Sequence, residues 1–283
     1  MSNKNYLSIY AKSFNWAGFF LPNKTYLKCS SLYDFCRTID NIADDDGSLS
    51  IKKKELLNFK NAFNSKDYND PIIKNMWDLI NEFKISTKIV DDLFIGIESD
   101  LEEMVQLKSQ KDLLIYSYRV AGTVGLMMAK ILNVKNQNAL KSSIDLGIAM
   151  QLTNISRDIV EDSKNNRYYI PSNFDSIKKT LKLADLFYDS SFSSIKEIPL
   201  NFRFAILVAR RVYRKIGYNI LKKENMNNYN NSGKIYINNI SKIIQTILSI
   251  SDLIKLSIIK PSNHLRDKEH LLINEEINLN ERF

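Results

Sequence analysis

Glycine and proline are scarce in this chain, and helical periodicity is nearly unbroken between the few places where they fall. With 8 glycines and 5 prolines in 283 residues, the punctuation that strands and hairpins require is missing. No run alternates apolar and polar residues between turn signals. Apolar residues instead recur every three or four positions, which predicts helices near 3–17, 24–44, 51–64, 71–83, 87–105, 112–132, 136–162, 178–189, 202–225 and 235–257. The breaks fall at Pro22 and in "DDDGSLS", "NSKDYNDP", "NVKN", "KNNRYYIPSNF", "EIPLNF" and "NNYNNSGK". The pattern is all-α. It is read as a single helical domain over 1–283, with a polar tail from about residue 261.

A chain that is 44% hydrophobic and 25% charged has the composition of a folded globular protein, and this length can bury a large core around a cavity. The two cysteines, Cys29 and Cys36, lie seven apart on one predicted helix, about 10 Å along its axis, which is too far for a disulfide. The start, "MSNKNYLSIYAKSF", lacks the apolar core of a signal peptide. Together these features point to a cytoplasmic protein. His264 and His270 sit in the polar stretch "NHLRDKEH" and suggest neither a zinc nor a haem site. No segment has about 20 uninterrupted apolar residues. The nearest, Ile243 to Lys260, contains Asp252 and Lys255 and reads as a core or surface helix, which leaves room for peripheral attachment to an inner membrane.

A net charge of +8 suits a nucleic acid, an anionic surface or an anionic small substrate. The lysines are scattered among asparagines and no nucleic-acid motif is present, so no nucleic-acid partner is expected. Anionic diphosphates remain compatible with the charge.

The acids are distributed less evenly. In "YDFCRTIDNIADD", wound as a helix, Tyr33, Arg37, Asp40, Asn41 and Asp44 share one stripe. In "AMQLTNISRDIVEDSKNNRYYIP", Gln151, Asn154, Asp158, Glu161 and Asp162 form a second. Both stripes crowd the C-terminal end of their helix, where the dipole presents its negative pole. Two sets of oxygen ligands in so unfavourable a place suit a hard divalent cation, and magnesium fits best because it also bridges to phosphates. Gly122 and Gly125 sit inside a helical pattern, each costing roughly 1 kcal/mol relative to alanine, so something must approach that backbone closely.

Four stretches in order, "SFNWAGFFLP", "LYDFCRTIDNIADD", "YSYRVAGTVGLM" and "QLTNISRDIVEDSKNNRYYIP", resemble the successive signatures of the phytoene and squalene synthase family. The resemblance is strong from about Ser13 to Pro171 and weaker to about Lys242. It implies an isoprenoid synthase helical bundle with a central substrate cavity. Two D-x-x-x-D motifs, Asp40 with Asp44 and Asp158 with Asp162, would hold two or three magnesium ions and the substrate diphosphates, with Asn154 joining the ligands. Arg37 and Arg157 match family positions near the diphosphates, as do Lys12, Ser13, Tyr229 and Lys234. Tyr116, Val120, Ala121 and Gly125 correspond to positions beside the prenyl chains, and Phe14, Tyr33, Gln151 and Asn154 to other cavity positions. Tyr10 departs from the family, standing where many relatives have histidine.

The resemblance implies a magnesium-dependent prenyltransferase of carotenoid biosynthesis. It would join two geranylgeranyl diphosphates head to head through a cyclopropyl diphosphate, without NADPH. A squalene or dehydrosqualene synthase using farnesyl diphosphate is the alternative. From another class, a non-catalytic assembly or binding protein of the same fold would usually have lost acids from the motifs, and all four are present.

Overall fold

The computed structural model describes residues 12–45, 47–260 and 263–283, with side chains from Asn15 onward. The chain is helical almost throughout, as its periodicity predicts. The helices are α1 (Lys12–Gly18), α2 (Asn23–Asp44), α3 (Leu49–Asn64), α4 (Pro71–Phe83), α5 (Thr87–Glu98), α6 (Gln110–Ser117), α7 (Thr123–Ile131), α8 (Gln137–Lys164), α9 (Phe174–Phe192), α10 (Leu200–Leu221), α11 (Met226–Asn231), α12 (Asn239–Ile258) and α13 (Asp267–Asn274).

The asparagines and aspartates that mark the breaks are also the residues that start the helices. Asp70 accepts from the amides of Ile72 (2.7 Å) and Ile73 (3.3 Å), with Pro71 at the first helical position. Asn136, Asn173, Asn225 and Asn238 cap α8, α9, α11 and α12 in the same way. Each cap of this kind contributes about 1 kcal/mol. Ser109 and Asp112 form a reciprocal capping box at α6.

Helix α8 is the axis of the fold, packed along its length by α7, α9 and α10. To one side, Phe35 of α2, Phe59 and Phe63 of α3, Trp77 of α4 and Phe94 of α5 form an aromatic core. Within it Phe63 and Trp77 stack at 5.1 Å. Cys29 and Cys36 are buried free thiols in α2.

The predicted helix over 112–132 is interrupted by a wide π-turn at Tyr118–Gly122. The predicted helix over 87–105 ends early in a short 3₁₀ turn, Ser99–Leu101. Beyond it, Val105 and Gln106 pair in parallel with Arg167 and Tyr168. Periodicity cannot reveal a ladder of two residues, yet this one holds the segment after α8 against the end of α5.

The tail differs from its polar reading. His264 and His270 are buried, and their Nε2 atoms lie 2.9 and 2.7 Å from the two carboxylate oxygens of Asp145, on α8. Burial alone would raise the Asp145 carboxyl, but hydrogen bonds from both imidazoles hold it below its usual range. Farther on, Arg282 donates to both oxygens of buried Asp92, which also accepts from the Tyr118 hydroxyl. The sequence pattern missed this docking because each anchor pairs with a residue more than 100 positions away.

Candidate active site

Both acidic motifs sit at helix C-termini, as their spacing requires, and the fold brings those two ends together. Asp40 and Asp44 close α2, and Asp158 and Asp162 lie in the last turns of α8. Asp40 and Asp162 share Asp100 and Arg167 as electrostatic neighbours, so the two motifs face one common centre.

Burial pushes the Asp40 carboxyl up to about 7; Arg37 opposes the shift and Asp44 adds to it. Burial likewise lifts Asp162 to about 8, with the Asp158 charge adding and Arg167 opposing. Carboxylates this crowded gain from any cation that enters between them.

Asp158 is shared by two cations. Arg157 donates to both its oxygens (2.8 and 2.5 Å), and Lys234 Nζ lies 3.5 Å from Oδ1 and 2.5 Å from Glu161. Tyr229 has another role. Its hydroxyl donates to the carbonyls of Ser156 (3.1 Å) and Arg157 (2.5 Å), tying α11 to α8.

A cavity of about 970 Å³ opens beside the acids, at the upper end of the roughly 300–1,000 Å³ typical of ligand sites. Tyr33, Arg37, Asp40, Gln151, Asn154, Arg157 and Lys234 line its polar end, and Val120, Ala121, Val124, Gly125 and Met128 its apolar wall. Val120 and Ala121 belong to the π-turn, a distortion that often marks functional backbone. The side chains of Lys12, Ser13 and Phe14, and all of Tyr10, lie outside the described residues.

Of two expected cavity contacts, one comes out differently and the other has a second cause. Tyr116 does not line the cavity. Its ring stacks on Tyr169 at 4.5 Å, and its hydroxyl lies 2.8 Å from Asp100 and 2.9 Å from the Tyr169 hydroxyl. Gly125 does line the cavity, but a Cβ there would point at the Ser143 carbonyl, 2.3 Å away. A Cβ on Gly147 would meet the Ala121 carbonyl at the same distance. These glycines let α7 and the π-turn press onto α8, so helix contact explains Gly125 first and the tunnel second.

Three residues of the site carried no role in the sequence reading: Asp100, Arg167 and Tyr169. Asp100 accepts from Tyr169 (2.7 Å) and Tyr116, and burial raises its carboxyl to about 6 against the pull of Arg167. Arg167 and Tyr169 are two apart on an extended segment, so both side chains project to the same side. The only signal in the sequence was an arginine and two tyrosines in a break directly after an acidic motif.

The donor set Asp40, Asp44, Asn154, Asp158 and Asp162 is oxygen-only, as magnesium prefers. Asn154 Oδ1 is buried without a hydrogen-bond partner among the described residues, while its amide nitrogen is 3.3 Å from Gln151 Oε1. A buried carbonyl oxygen left open on the wall that Asp40 also lines, one helical turn before Asp158, fits a metal ligand.

Residues 8–174 match the profile of the squalene/phytoene synthase family. The chain belongs to this family. Its curated relatives include the 15-cis-phytoene synthase of Pantoea ananas, 28% identical over 247 residues that cover 76% of this chain and 80% of the relative. The phytoene synthase of Pseudescherichia vulneris is also 28% identical, over 74% of this chain and 78% of its own. Among solved structures, a dehydrosqualene synthase in complex with ligand superposes with a TM-score of 0.73 at 25% identity, covering 88% of this chain and 94% of that one. A squalene synthase from Alicyclobacillus acidocaldarius, at 18% identity and a TM-score of 0.66 over 77% of this chain and 90% of its own, shares the fold. The family processes prenyl diphosphates, and its helical bundle is the one seen here.

Proposed function

We propose that this member of the family is a prenyltransferase that joins two geranylgeranyl diphosphates head to head into phytoene. The observation that supports the C20 substrate is the depth of the cavity along α8. Its lining runs from Arg157 at the acidic end to Ala139 at the other. Eighteen residue steps along an α-helix span about 27 Å. A backbone of three bonds per residue extends at most about 3.6 Å, so an isoprene unit of four bonds extends roughly 4.8 Å, a C20 tail about 19 Å and a C15 tail about 14 Å. After room for the diphosphate, the C20 tail fills the depth and the C15 tail leaves about one helical turn unused.

Arg37, Arg157 and Lys234 supply donors for the diphosphate oxygens at the polar end. Asp40, Asp44, Asn154, Asp158 and Asp162 would hold magnesium, which when bound supplies Lewis acidity toward the leaving diphosphate. The apolar wall keeps the tails extended and excludes water, which would quench an allylic cation to an alcohol. The cation left by the first diphosphate alkylates the double bond of the second substrate, and loss of a proton closes a cyclopropyl diphosphate. A second ionisation, rearrangement and proton loss give the linear C40 hydrocarbon, with two diphosphates released and no reductant consumed.

A C15 reading is favoured by the dehydrosqualene synthase that superposes on this chain. Direct competition between geranylgeranyl and farnesyl diphosphate in the presence of magnesium, with the hydrocarbon identified by mass, decides between them. Faster use of the C15 substrate removes the phytoene assignment. EDTA should stop the reaction and magnesium restore it. Asp40→Asn and Asp158→Asn should each slow it by about 100-fold or more, the scale of losing one aimed electrostatic group, while the protein stays folded.

A further inference from the structure

The chain has two histidines, and both converge on one carboxylate. His264 and His270 bring Nε2 to 2.9 and 2.7 Å from the two oxygens of Asp145. All three residues are buried, and each offers a ligand atom within 4.8 Å of the others. The groups around them are placed as well. Asp267 Oδ1 lies 2.9 Å from His264 Nδ1, and that contact, more than any other, holds the Asp267 carboxyl below its usual range. Asp267 is therefore ionised at neutral pH and takes the Nδ1 proton. His264 Nε2 then meets Asp145 only through a second proton or through a metal ion. The Ser190 hydroxyl donates to Asp145 Oδ2 at 2.6 Å. His270 Nδ1 is buried with no hydrogen-bond partner among the described residues, which leaves one nitrogen of this ring uncommitted to the protein.

We propose that Asp145, His264 and His270 hold a zinc ion that fastens the segment after α12 to α8. Two imidazoles and one carboxylate are a ligand set that zinc takes, with a water or the second carboxylate oxygen completing four. The two nitrogens favour zinc over magnesium, which suits the oxygen-only motifs instead. Ligands about 2.0–2.2 Å from zinc lie roughly 3 Å from one another, so the three side chains admit the ion by parting only slightly. A carboxylate on the far nitrogen of a ligating histidine, and a hydrogen bond to a ligating carboxylate, are the supports that such ligands carry. Asp267 and Ser190 stand in those positions. The segment also needs a fastening of this kind. Of the 8 residues of α13 only His270 and Ile273 are buried, and a helix that short is unstable in water by itself. Asp145 lies 13 positions before Asp158, about 20 Å along α8, so this centre is distinct from the acidic motifs. The sequence reading found no zinc site at these histidines because their third ligand is 119 and 125 positions away.

The centre is read without substrate, so its failure leaves the reaction proposed above untouched. The full chain is produced with zinc in the medium and dialysed against excess magnesium, which competes for the oxygen-only motifs. Metal content and melting temperature are then measured beside those of a zinc-free preparation and of the variants His264→Gln, His270→Gln and Asp267→Asn. The expected result is one zinc per chain in the wild type, with a melting temperature several degrees above that of the zinc-free chain. Both histidine variants should lose the ion, and Asp267→Asn should bind zinc about 10–100-fold more weakly. If the histidine variants do not fold, Asp267→Asn still reads the site, because its side chain is 65% exposed and the three ligands stay in place. A wild type that retains no zinc, or that melts alike with and without it, overturns the proposal, since His264 then holds Asp145 as an imidazolium. Zinc kept equally by the wild type and every variant that folds overturns it too, because the ion then sits at the acidic motifs.

Discussion

Arg167 donates from Nη1 to Asp44 Oδ1 at 2.9 Å, joining the segment that follows α8 to the end of α2. Its other terminal nitrogen reaches the Ala43 carbonyl at 3.2 Å. Burial would lower the basicity of this guanidinium, but Asp100, Tyr169 and Asp44 outweigh it. Arg167 thus stands among the acids as a fixed positive charge between the two motifs.

Replacing it with a neutral residue should therefore damage both motifs at once. In Arg167→Gln the carboxyls of Asp40, Asp100 and Asp162 lose an interaction that lowers each of them, so all three rise further. Activity at neutral pH should fall about 10–100-fold, the usual cost of removing a group that supports metal ligands. Part of it should return as pH is raised, because the protonated acids are then ionised again. A rate profile of the same shape as wild type, merely lower, would show that Arg167 acts on packing and not on the acids.

The raised carboxyls also set how stability depends on pH. Asp40 and Asp162 hold their protons to about 7 and 8 in the folded protein, against about 4 in an unfolded chain. Between those values the folded state binds more protons than the unfolded one. In the absence of divalent cations, their contribution to stability is therefore present below about pH 4, and is lost as pH rises through 7 and 8. Asp162→Asn removes one of these groups. Its melting temperature should change less between pH 5 and 8.5 than that of wild type, and at pH 8.5 it should lie above it. Magnesium should raise the wild-type value most at the alkaline end, since binding requires ionised ligands. Melting curves with and without magnesium across this range check all three expectations.

The glycine contacts make a separate claim about packing. Gly125→Ala and Gly147→Ala each drive a methyl group onto a backbone carbonyl 2.3 Å away, and neither carbonyl can move without shifting its helix. Each should cost about 1–3 kcal/mol, which in a protein of this size lowers the melting temperature by several degrees. If either variant keeps its melting temperature and loses only the use of long substrates, the tunnel and not the helix contact governs that position.

The parts of this protein that were legible in the sequence are those written in local periodicity. The stripe from Tyr33 to Asp44 and that from Gln151 to Asp162 lie on α2 and α8 as their spacing requires. Asp40 and Asn154 line the cavity, and α8, α9, α11 and α12 start at capping asparagines. The parts that were not legible depend on contacts between distant segments. Arg167 and Tyr169 reach the site on a segment anchored by the pairing of Arg167 and Tyr168 with Val105 and Gln106. His264 and His270 are buried only because Asp145 waits on α8, 119 and 125 positions away. Tyr116 looked like a cavity residue because it belongs to a matching motif, yet its ring is held by Tyr169 and its hydroxyl by Asp100.

The length of the substrate should be set at the end of the cavity away from the acids, and one position there can be filled. Ser143 lines the cavity and its hydroxyl is tied back to the Leu140 carbonyl at 2.7 Å. It lies one helical turn from Ala139, where the lining along α8 ends. A helical turn is about 5.4 Å, close to the roughly 4.8 Å by which one isoprene unit lengthens a chain with the reach of an extended backbone. Ser143→Leu should therefore remove about one unit of depth and leave the diphosphate end intact. The expected outcome is a selective loss of specificity constant for geranylgeranyl diphosphate, with farnesyl diphosphate used as well as before or better. Burying one further isoprene unit is worth about 0.8 kcal/mol per methylene-sized group, so the preference should shift by at least tenfold. The measurement is kcat/KM for both substrates in competition, read beside the melting temperature. An equal loss for both substrates would place the end of the tunnel elsewhere.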